Sequence, residues 1–189
     1  MEDVKVIDIP NSFHQDSEGK PFTNCTFCSK ELQNTGTPYV VEKSFKKPLG
    51  TKNYVTVFEY AICMNCSIKK MEVISKESMK TIQEYMASNV HSMQEQFEEV
   101  DFEDKISKCA VSGKQIGELE EYNMVGQFIG DKLILKEFPI ILSAEIGDEI
   151  QSLLSKETKE EFDKFMDTIN DVPPELKELF KNNRRPVLV

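Results

Sequence analysis

This sequence lacks any apolar run that reaches the roughly 18 to 20 residues that a membrane-spanning helix needs. Its first ten residues, MEDVKVIDIP, contain acids where a secretory leader has a basic stretch followed by an apolar one. The five cysteines form two Cys-x-x-Cys pairs and one single residue, which suits a metal site in a reducing compartment better than a set of disulfides. We therefore expect a cytoplasmic protein that does not contact a membrane.

The chain also lacks the short motifs of several enzyme classes. It contains no phosphate-cradling glycine loop, no nucleophile elbow and no metalloprotease helix. Its two histidines, His14 and His91, lie in a predicted loop and a polar junction, so we expect both at the surface. Some metal-dependent nucleases need catalytic histidines near the metal, and neither histidine is placed for that role. These absences predict a noncatalytic protein.

The acidic charge of the chain is concentrated in its second half. Residues 1–86 contain 11 Lys and 11 Asp or Glu, whereas residues 87–189 contain 12 Lys or Arg and 22 Asp or Glu. Such a surface repels phosphate backbones, which disfavours a nucleic-acid-binding role for the second half. The first half leaves that role open through four lysines on a predicted hairpin and its turn, Lys43, Lys46, Lys47 and Lys52.

The paired cysteines are the strongest chemical signal in the sequence. The pairs Cys25/Cys28 and Cys63/Cys66 are separated by 34 residues and predict two tight turns that together offer four thiolates. Four sulfur ligands in a tetrahedron suit Zn(II), and a shell of four protein ligands leaves no position for an activated water. The spacing therefore predicts one structural zinc ion. An Fe–S cluster and thiol–disulfide exchange by one of the pairs are the alternatives.

The residues between and after the cysteine pairs have a recognisable order. Two β-rich runs, PYVVEKSF and YVTVFEYAIC, flank the turn residues of KKPLGTKN and predict a hairpin. The second pair follows this hairpin directly, and SKESMKTIQEYM then shows helical spacing. The order of knuckle, hairpin, knuckle and helix resembles a treble-clef zinc finger over about residues 22–86. The resemblance is architectural and implies no particular function, because many unrelated proteins share this arrangement.

The second half repeats this plan without most of the cysteines. SKESMKTIQEYM at 75–86 aligns with SKETKEEFDKFM at 155–166, and CTFCSKEL at 25–32 aligns with CAVSGKQI at 109–116. The runs around the glycine-aspartate turn in EYNMVGQFIGDKLILKEFPIIL predict a second hairpin between these segments. We expect aromatic residues of both hairpins and of the second helix in the core, namely Phe58, Tyr60, Phe138, Phe162 and Phe165.

The alignment assigns a counterpart to each of the four ligand positions. The counterparts of Cys25, Cys28, Cys63 and Cys66 are Cys109, Ser112, Ser143 and Ile146. One thiol, two hydroxyls and a hydrocarbon cannot supply four soft ligands. The second copy is therefore predicted to be metal-free, with Leu142 and Ile146 filling the space and Cys109 as a core thiol.

Together these patterns predict an α+β fold of two tandem hairpin-plus-helix, treble-clef-like units, the first zinc-bound and the second metal-free. The predicted boundaries are a loosely ordered lead-in at 1–21, the zinc-binding unit at 22–94, an acidic linker at 95–104, the degenerate repeat at 105–170, and a short helix and tail at 171–189. We expect the protein to act as a protein–protein interaction or adaptor module with a protein partner. The alternatives are a nucleic-acid-associated protein that docks through the hairpin lysines and a thiol–disulfide oxidoreductase.

Overall fold

The computed structural model describes residues 5–72, 74–94 and 101–169. Within these ranges the protein is a mixed α+β structure, as the sequence predicts, with an antiparallel sheet and several helices. The predicted C-terminal helix and tail at 171–189 lie outside the described residues, as do residues 95–100 of the predicted linker and the side chains of His91, Phe162 and Phe165.

The described strands form one six-stranded sheet. They are β1 (Lys5–Asp8), β2 (Pro38–Lys46), β3 (Val55–Cys63), β4 (Glu121–Ile129), β5 (Lys132–Leu135) and β6 (Ile140–Ser143). The strand order is β1-β5-β4-β2-β3, and β6 pairs with β4 beyond the end of β5. The β4–β5 turn uses Gly130 with φ of 57°, a left-handed conformation that glycine adopts without steric cost. This is the glycine-aspartate turn that the sequence predicts.

The ladder between β2 and β4 joins the two halves of the chain. It runs over nine residue pairs, from Pro38 opposite Ile129 to Lys46 opposite Glu121. Near one end of the ladder Tyr39 stacks on Phe128 with ring centroids 5.3 Å apart, and near the other Phe45 stacks on Tyr122 at 5.0 Å. Aromatic pairs of this kind stabilise neighbouring strands. The two predicted units therefore share one sheet.

The described α-helices lie after β3 and after β6. They are α1 (Met64–Met71), α2 (Lys76–Gln94), α3 (Phe102–Lys105), α4 (Ala144–Ser152) and α5 (Lys156–Ile169). Helix α1 begins directly after β3 and α4 directly after β6. None of the helices among the described residues has the length and the apolar character to pass through a membrane.

Helices α2 and α5 begin side by side and complete each other's capping. Ser75 Oγ accepts a hydrogen bond from the Ser78 N–H, and Ser155 Oγ accepts one from the Thr158 N–H, as N-cap residues do. The Ser75 N–H donates to Thr158 Oγ1 at 3.1 Å, and the Ser155 N–H donates to Ser78 Oγ at 2.8 Å. Each helix therefore satisfies a backbone donor at the start of the other.

Residues 5–21, which belong to the predicted lead-in, are integrated into the fold. Strand β1 pairs with β5 from Lys5 opposite Leu135 to Asp8 opposite Lys132. Phe13 is buried and packs edge-on against Phe128. Gly126 permits this contact, because a Cβ at that position would lie 2.7 Å from the Phe13 ring.

Most of the predicted core residues that the structure describes are buried. Phe58, Tyr60, Leu142 and Ile146 lie in the core, and Phe138 is partly buried against it. Strand β2 is buried on both faces over Tyr39 to Ser44, so its polar residues are buried along with its apolar ones. An alternation of apolar and polar residues usually indicates one buried and one exposed face. In this strand both faces are buried from Tyr39 to Ser44.

Candidate metal centre

The first two cysteines lie in a tight turn before β2. The chain reverses between Asn24 and Glu31, which form an isolated antiparallel bridge. The Cys25 N–H donates to the Lys30 carbonyl at 2.8 Å, and the Ser29 N–H donates to the Cys25 carbonyl at 2.8 Å. Ser29 adopts a φ of 57°, a conformation uncommon for a residue with a side chain. The turn directs two thiols toward the end of β3.

The other two cysteines lie where β3 passes into α1. Cys63 is the last residue of β3 and has the extended backbone of an N-cap, and Cys66 is in the first turn of α1. The Thr26 N–H donates to the Ala61 carbonyl at 2.8 Å, and the Cys63 N–H donates to Cys25 Sγ at 3.4 Å. These bonds tie the turn to the strand and bring the two cysteine pairs together.

The four sulfur atoms have the spacing of a metal-binding cluster. All lie within 4.8 Å of one another, and Cys28 Sγ lies 3.7 Å from Cys63 Sγ. A tetrahedral shell with Zn–S bonds of about 2.3 Å has sulfur atoms about 3.8 Å apart, so the residues fit a zinc ion. All four cysteines are free thiols. The cluster that the sequence predicts is thus positioned to hold a metal ion.

The environments of the four thiols differ in burial and in charge stabilisation. Cys25 and Cys63 are buried, Cys66 is half-buried and Cys28 is exposed. Burial raises the pKa of Cys25, and burial followed by the neighbouring Cys28 and Cys63 thiols raises the pKa of Cys66. The Lys30 N–H lowers the pKa of Cys28 to about 7. Because a metal binds thiolates, its binding must displace protons from Cys25 and Cys66, whose pKa values are raised.

The arrangement favours a structural role for a metal that binds there. Four thiolates complete a tetrahedral shell, so the described ligands leave no position for a substrate or an activated water. Each ligand comes from a turn or a helix start, and the metal would fix the β2–β3 hairpin between them. A metal held in this way supplies folding free energy to the region that binds it.

The second half contains a turn with the same backbone hydrogen bonds. The Cys109 N–H donates to the Lys114 carbonyl at 2.9 Å, and the Gly113 N–H donates to the Cys109 carbonyl at 2.9 Å. The Ala110 N–H donates to the Ile141 carbonyl at 2.8 Å. The Cys109 side chain is buried, as the sequence predicts for a core thiol.

The four lysines that suggested a nucleic-acid contact differ in their accessibility. Lys43 is 2% exposed and forms ion pairs with Asp16 and Glu59. Lys46 pairs with Glu121, and Lys47 donates to the Gly117 carbonyl while its Nζ lies 5.0 Å from the centroid of the Tyr54 ring. In this structure Lys43 cannot reach an external phosphate, and Lys46 and Lys47 are engaged within the protein. The predicted cluster is not a continuous basic surface.

His14, which the sequence predicts at the surface, is half-buried and makes local contacts. Its Nδ1 lies 3.1 Å from the Gly19 carbonyl, and its own carbonyl accepts a hydrogen bond from Lys43. Sequence reasoning missed the second contact, as it missed the burial of Lys43. The only sign of this burial in the sequence is that Lys43 lies in the middle of a β-rich run. Exposed positions of strands often have a lysine too, so this pattern does not predict burial.

Comparison of the chain with protein-family models, with curated proteins and with solved structures finds no match.

Proposed function

We propose that this chain is a zinc-binding protein that holds one structural Zn(II) through Cys25, Cys28, Cys63 and Cys66. The observation that carries the proposal is the convergence of the four sulfur atoms to within 4.8 Å, from two separate turns. Soft thiolate ligands in a tetrahedral set select zinc among the abundant divalent metals.

Metal analysis of the purified protein tests this assignment, with Cys109→Ser as the matched control because Cys109 is a buried thiol outside the cluster. We expect one zinc per chain in the wild type, no stoichiometric zinc in Cys63→Ser, and one zinc in Cys109→Ser. Iron with acid-labile sulfide in place of zinc would favour a cluster, and a metal-free protein with a Cys-x-x-Cys disulfide would favour an oxidoreductase.

We also propose that the fold is a duplicated treble-clef-like unit. In support, the turns at Cys25 and Cys109 make matching hydrogen bonds, and each is followed by a hairpin and a helix. Two stacked aromatic pairs, Tyr39–Phe128 and Phe45–Tyr122, join β2 to β4. If Tyr39 corresponds to Tyr122 and Phe45 to Phe128, exchanging the two copies converts each pair into the other. This is the pattern expected when two copies pair about a local two-fold axis.

The proposed role of the molecule is noncatalytic contact with another protein. A closed coordination shell gives the metal no reactive position, so the zinc would serve to hold α1 rigidly against the hairpin. Helix α1 presents Ile68 and Met71, which are 49% and 43% exposed. Exposed apolar side chains on a rigid element are typical of protein contact surfaces.

Substitution of this apolar pair tests the role. We expect the wild type to capture a defined protein partner from an extract of its own cells and the double variant Ile68→Glu/Met71→Glu to lose it while retaining zinc. A matched control is Val55→Glu, an exposed apolar residue at the start of β3. Retention of the partner by the double variant would exclude this surface of α1.

A further inference from the structure

The turn at Cys109 keeps the features that stabilise a thiolate in the metal centre. The Ser143 N–H donates to Cys109 Sγ at 3.4 Å, the same distance at which the Cys63 N–H donates to Cys25 Sγ. Burial raises the pKa of Cys109, but hydrogen bonds from the Ser112 hydroxyl and from backbone N–H groups outweigh burial, and the net pKa lies below its ordinary value. Sulfur at this position is therefore surrounded by donors as a metal ligand is.

A second observation at the same place concerns Ser143. Its side chain is 2% exposed, and its Oγ has no hydrogen-bond partner among the described residues. Its backbone has φ of −66° and ψ of 159°, close to the −69° and 154° of Cys63. Because the backbone and the N–H···S bond match those of Cys63, the Ser143 Cβ leaves the chain in the direction in which Cys63 supplies its thiol. Burying a hydroxyl without a hydrogen-bond partner lowers the free energy of unfolding. The unpartnered Ser143 hydroxyl therefore calls for an explanation other than its contribution to stability.

The other two positions complete the set. Ser112 lies three residues after Cys109 in the turn, as Cys28 follows Cys25, and its N–H lies 3.5 Å from Cys109 Sγ. Ile146 is buried in the first turn of α4, as Cys66 lies in the first turn of α1. Each of the four positions thus belongs to the same element, at the same place in it, as its counterpart in the metal centre.

We propose that Cys109, Ser112, Ser143 and Ile146 retain the framework of a second four-ligand site for a soft divalent metal, and that three thiols are all it lacks. The inference rests on the proposed duplication. Serine hydroxyls are poor ligands for zinc at neutral pH and an isoleucine offers none, so the native residues disable the site by ligand chemistry while the backbone that would position the ligands remains.

The test is the triple variant Ser112→Cys/Ser143→Cys/Ile146→Cys, purified with Zn(II) and then exchanged with Co(II). We expect the metal content to double, from one to two ions per chain, and the absorption of tetrahedral thiolate-bound Co(II) to double with it. The matched control carries Ser112→Cys and Ile146→Cys with Cys109→Ser, which leaves two thiols at the site, and we expect it to lose the added intensity. A folded triple variant that holds a single metal ion would overturn the inference.

A second variant keeps the inference testable if the triple variant does not fold. Ser112→Cys/Ser143→Cys retains the apolar packing of Ile146 and provides three thiols, a set that binds Cd(II). We expect two Cd(II) ions per chain in this variant and one in the wild type, and a single ion in both would contradict the framework. Wild-type metal content reports separately on the first centre, so failure of the second site is distinguishable from failure of the proposed zinc site.

Discussion

The ammonium group of Lys43 is buried against the sheet, and each of its three N–H donors has a partner. Its Nζ lies 2.5 Å from Asp16 Oδ1 and 2.9 Å from Glu59 Oε2, and it donates to the His14 carbonyl at 2.6 Å. A buried charge is tolerated only when it is paired and hydrogen-bonded in this way. The segment that contains His14 and Asp16 is therefore held against the sheet by a specific polar contact.

Removal of the Lys43 cation should cost more when the Glu59 carboxylate remains beside it. Lys43→Met leaves the mostly buried Glu59 carboxylate without its cation, and we expect a loss of on the order of 1 to 3 kcal/mol in the free energy of unfolding. Lys43→Met/Glu59→Gln removes the cation and that carboxylate together, so we expect a smaller loss. Urea denaturation of both variants checks the order, and a greater loss in the double variant would contradict this account.

The same contact gives stability a defined dependence on pH. Burial raises the pKa of Asp16, but hydrogen bonds from Lys43 and the Thr56 hydroxyl outweigh burial, so the pKa in the folded protein is lowered. A lowered folded pKa stabilises the protein fully above the unfolded value of about 3.9, and this contribution is lost as the pH falls through the folded pKa. We expect the stability difference between the wild type and Asp16→Asn to be constant from about pH 5 to 7 and to shrink below about pH 4. Unfolding midpoints measured across this range check it, and a difference that grows at low pH would contradict it.

At the residue scale the cluster of four cysteines could be predicted from the sequence, and the buried ion pair could not. The four cysteines can be recognised from their local spacing, because the two members of each pair are three residues apart. The burial of Lys43 depends on Asp16 and Glu59, which lie far from it in sequence on a loop and on the next strand. No pattern among neighbouring residues predicts a contact between residues so far apart in the sequence.

Among the elements, helices α2 and α5 are coupled through their first turns. Ser78 and Thr158 are both fully buried, and their side-chain oxygens lie 3.2 Å apart. Each accepts the backbone N–H that precedes the other helix. The start of α2 and the start of α5 are therefore one hydrogen-bonded cluster.

Breaking this cluster should reveal the coupling. We expect Ser78→Ala and Thr158→Val each to lower the free energy of unfolding by about 1 kcal/mol, since each leaves a backbone donor of the other helix unpaired. The double variant should differ from the sum of the two by at least about 0.5 kcal/mol. Ser88→Ala is the control, because Ser88 is exposed and bonds within its own helix. Strict additivity of the two substitutions would contradict the coupling.

At this scale the sequence predicts the elements better than their partners. The two hairpins and the helices follow from β-rich runs, turn residues and helical spacing, which are properties of neighbouring residues. Strand β1 has only four residues, too few to show a period, and it forms because β5 offers a partner. The pairing of β2 with β4 likewise depends on the approach of segments about 80 residues apart, which the alternation within each strand does not encode.

Metal removal should affect the whole molecule. Two independent units would unfold separately, but β2 and β4 share a nine-pair ladder and β1 joins the first residues to the second half. We therefore expect the metal-free protein to unfold in a single transition. Its Tm should be at least about 10 °C lower, which corresponds to roughly 3 to 5 kcal/mol for a chain of this size. Calorimetry of the chelator-treated protein checks this, with Cys109→Ser treated in parallel, and two separate transitions would contradict it.

The β2–β4 ladder covers the edge of β2 that faces away from β3. A fragment that ends before β4 would expose the main-chain donors and acceptors of β2 along an open sheet edge, and such edges recruit another strand. The nearest substitute for β4 is β2 of a second fragment, because an antiparallel pair of identical strands satisfies the same bonds. We expect the isolated first half to form a homodimer, with each copy standing in for the half that the other has lost.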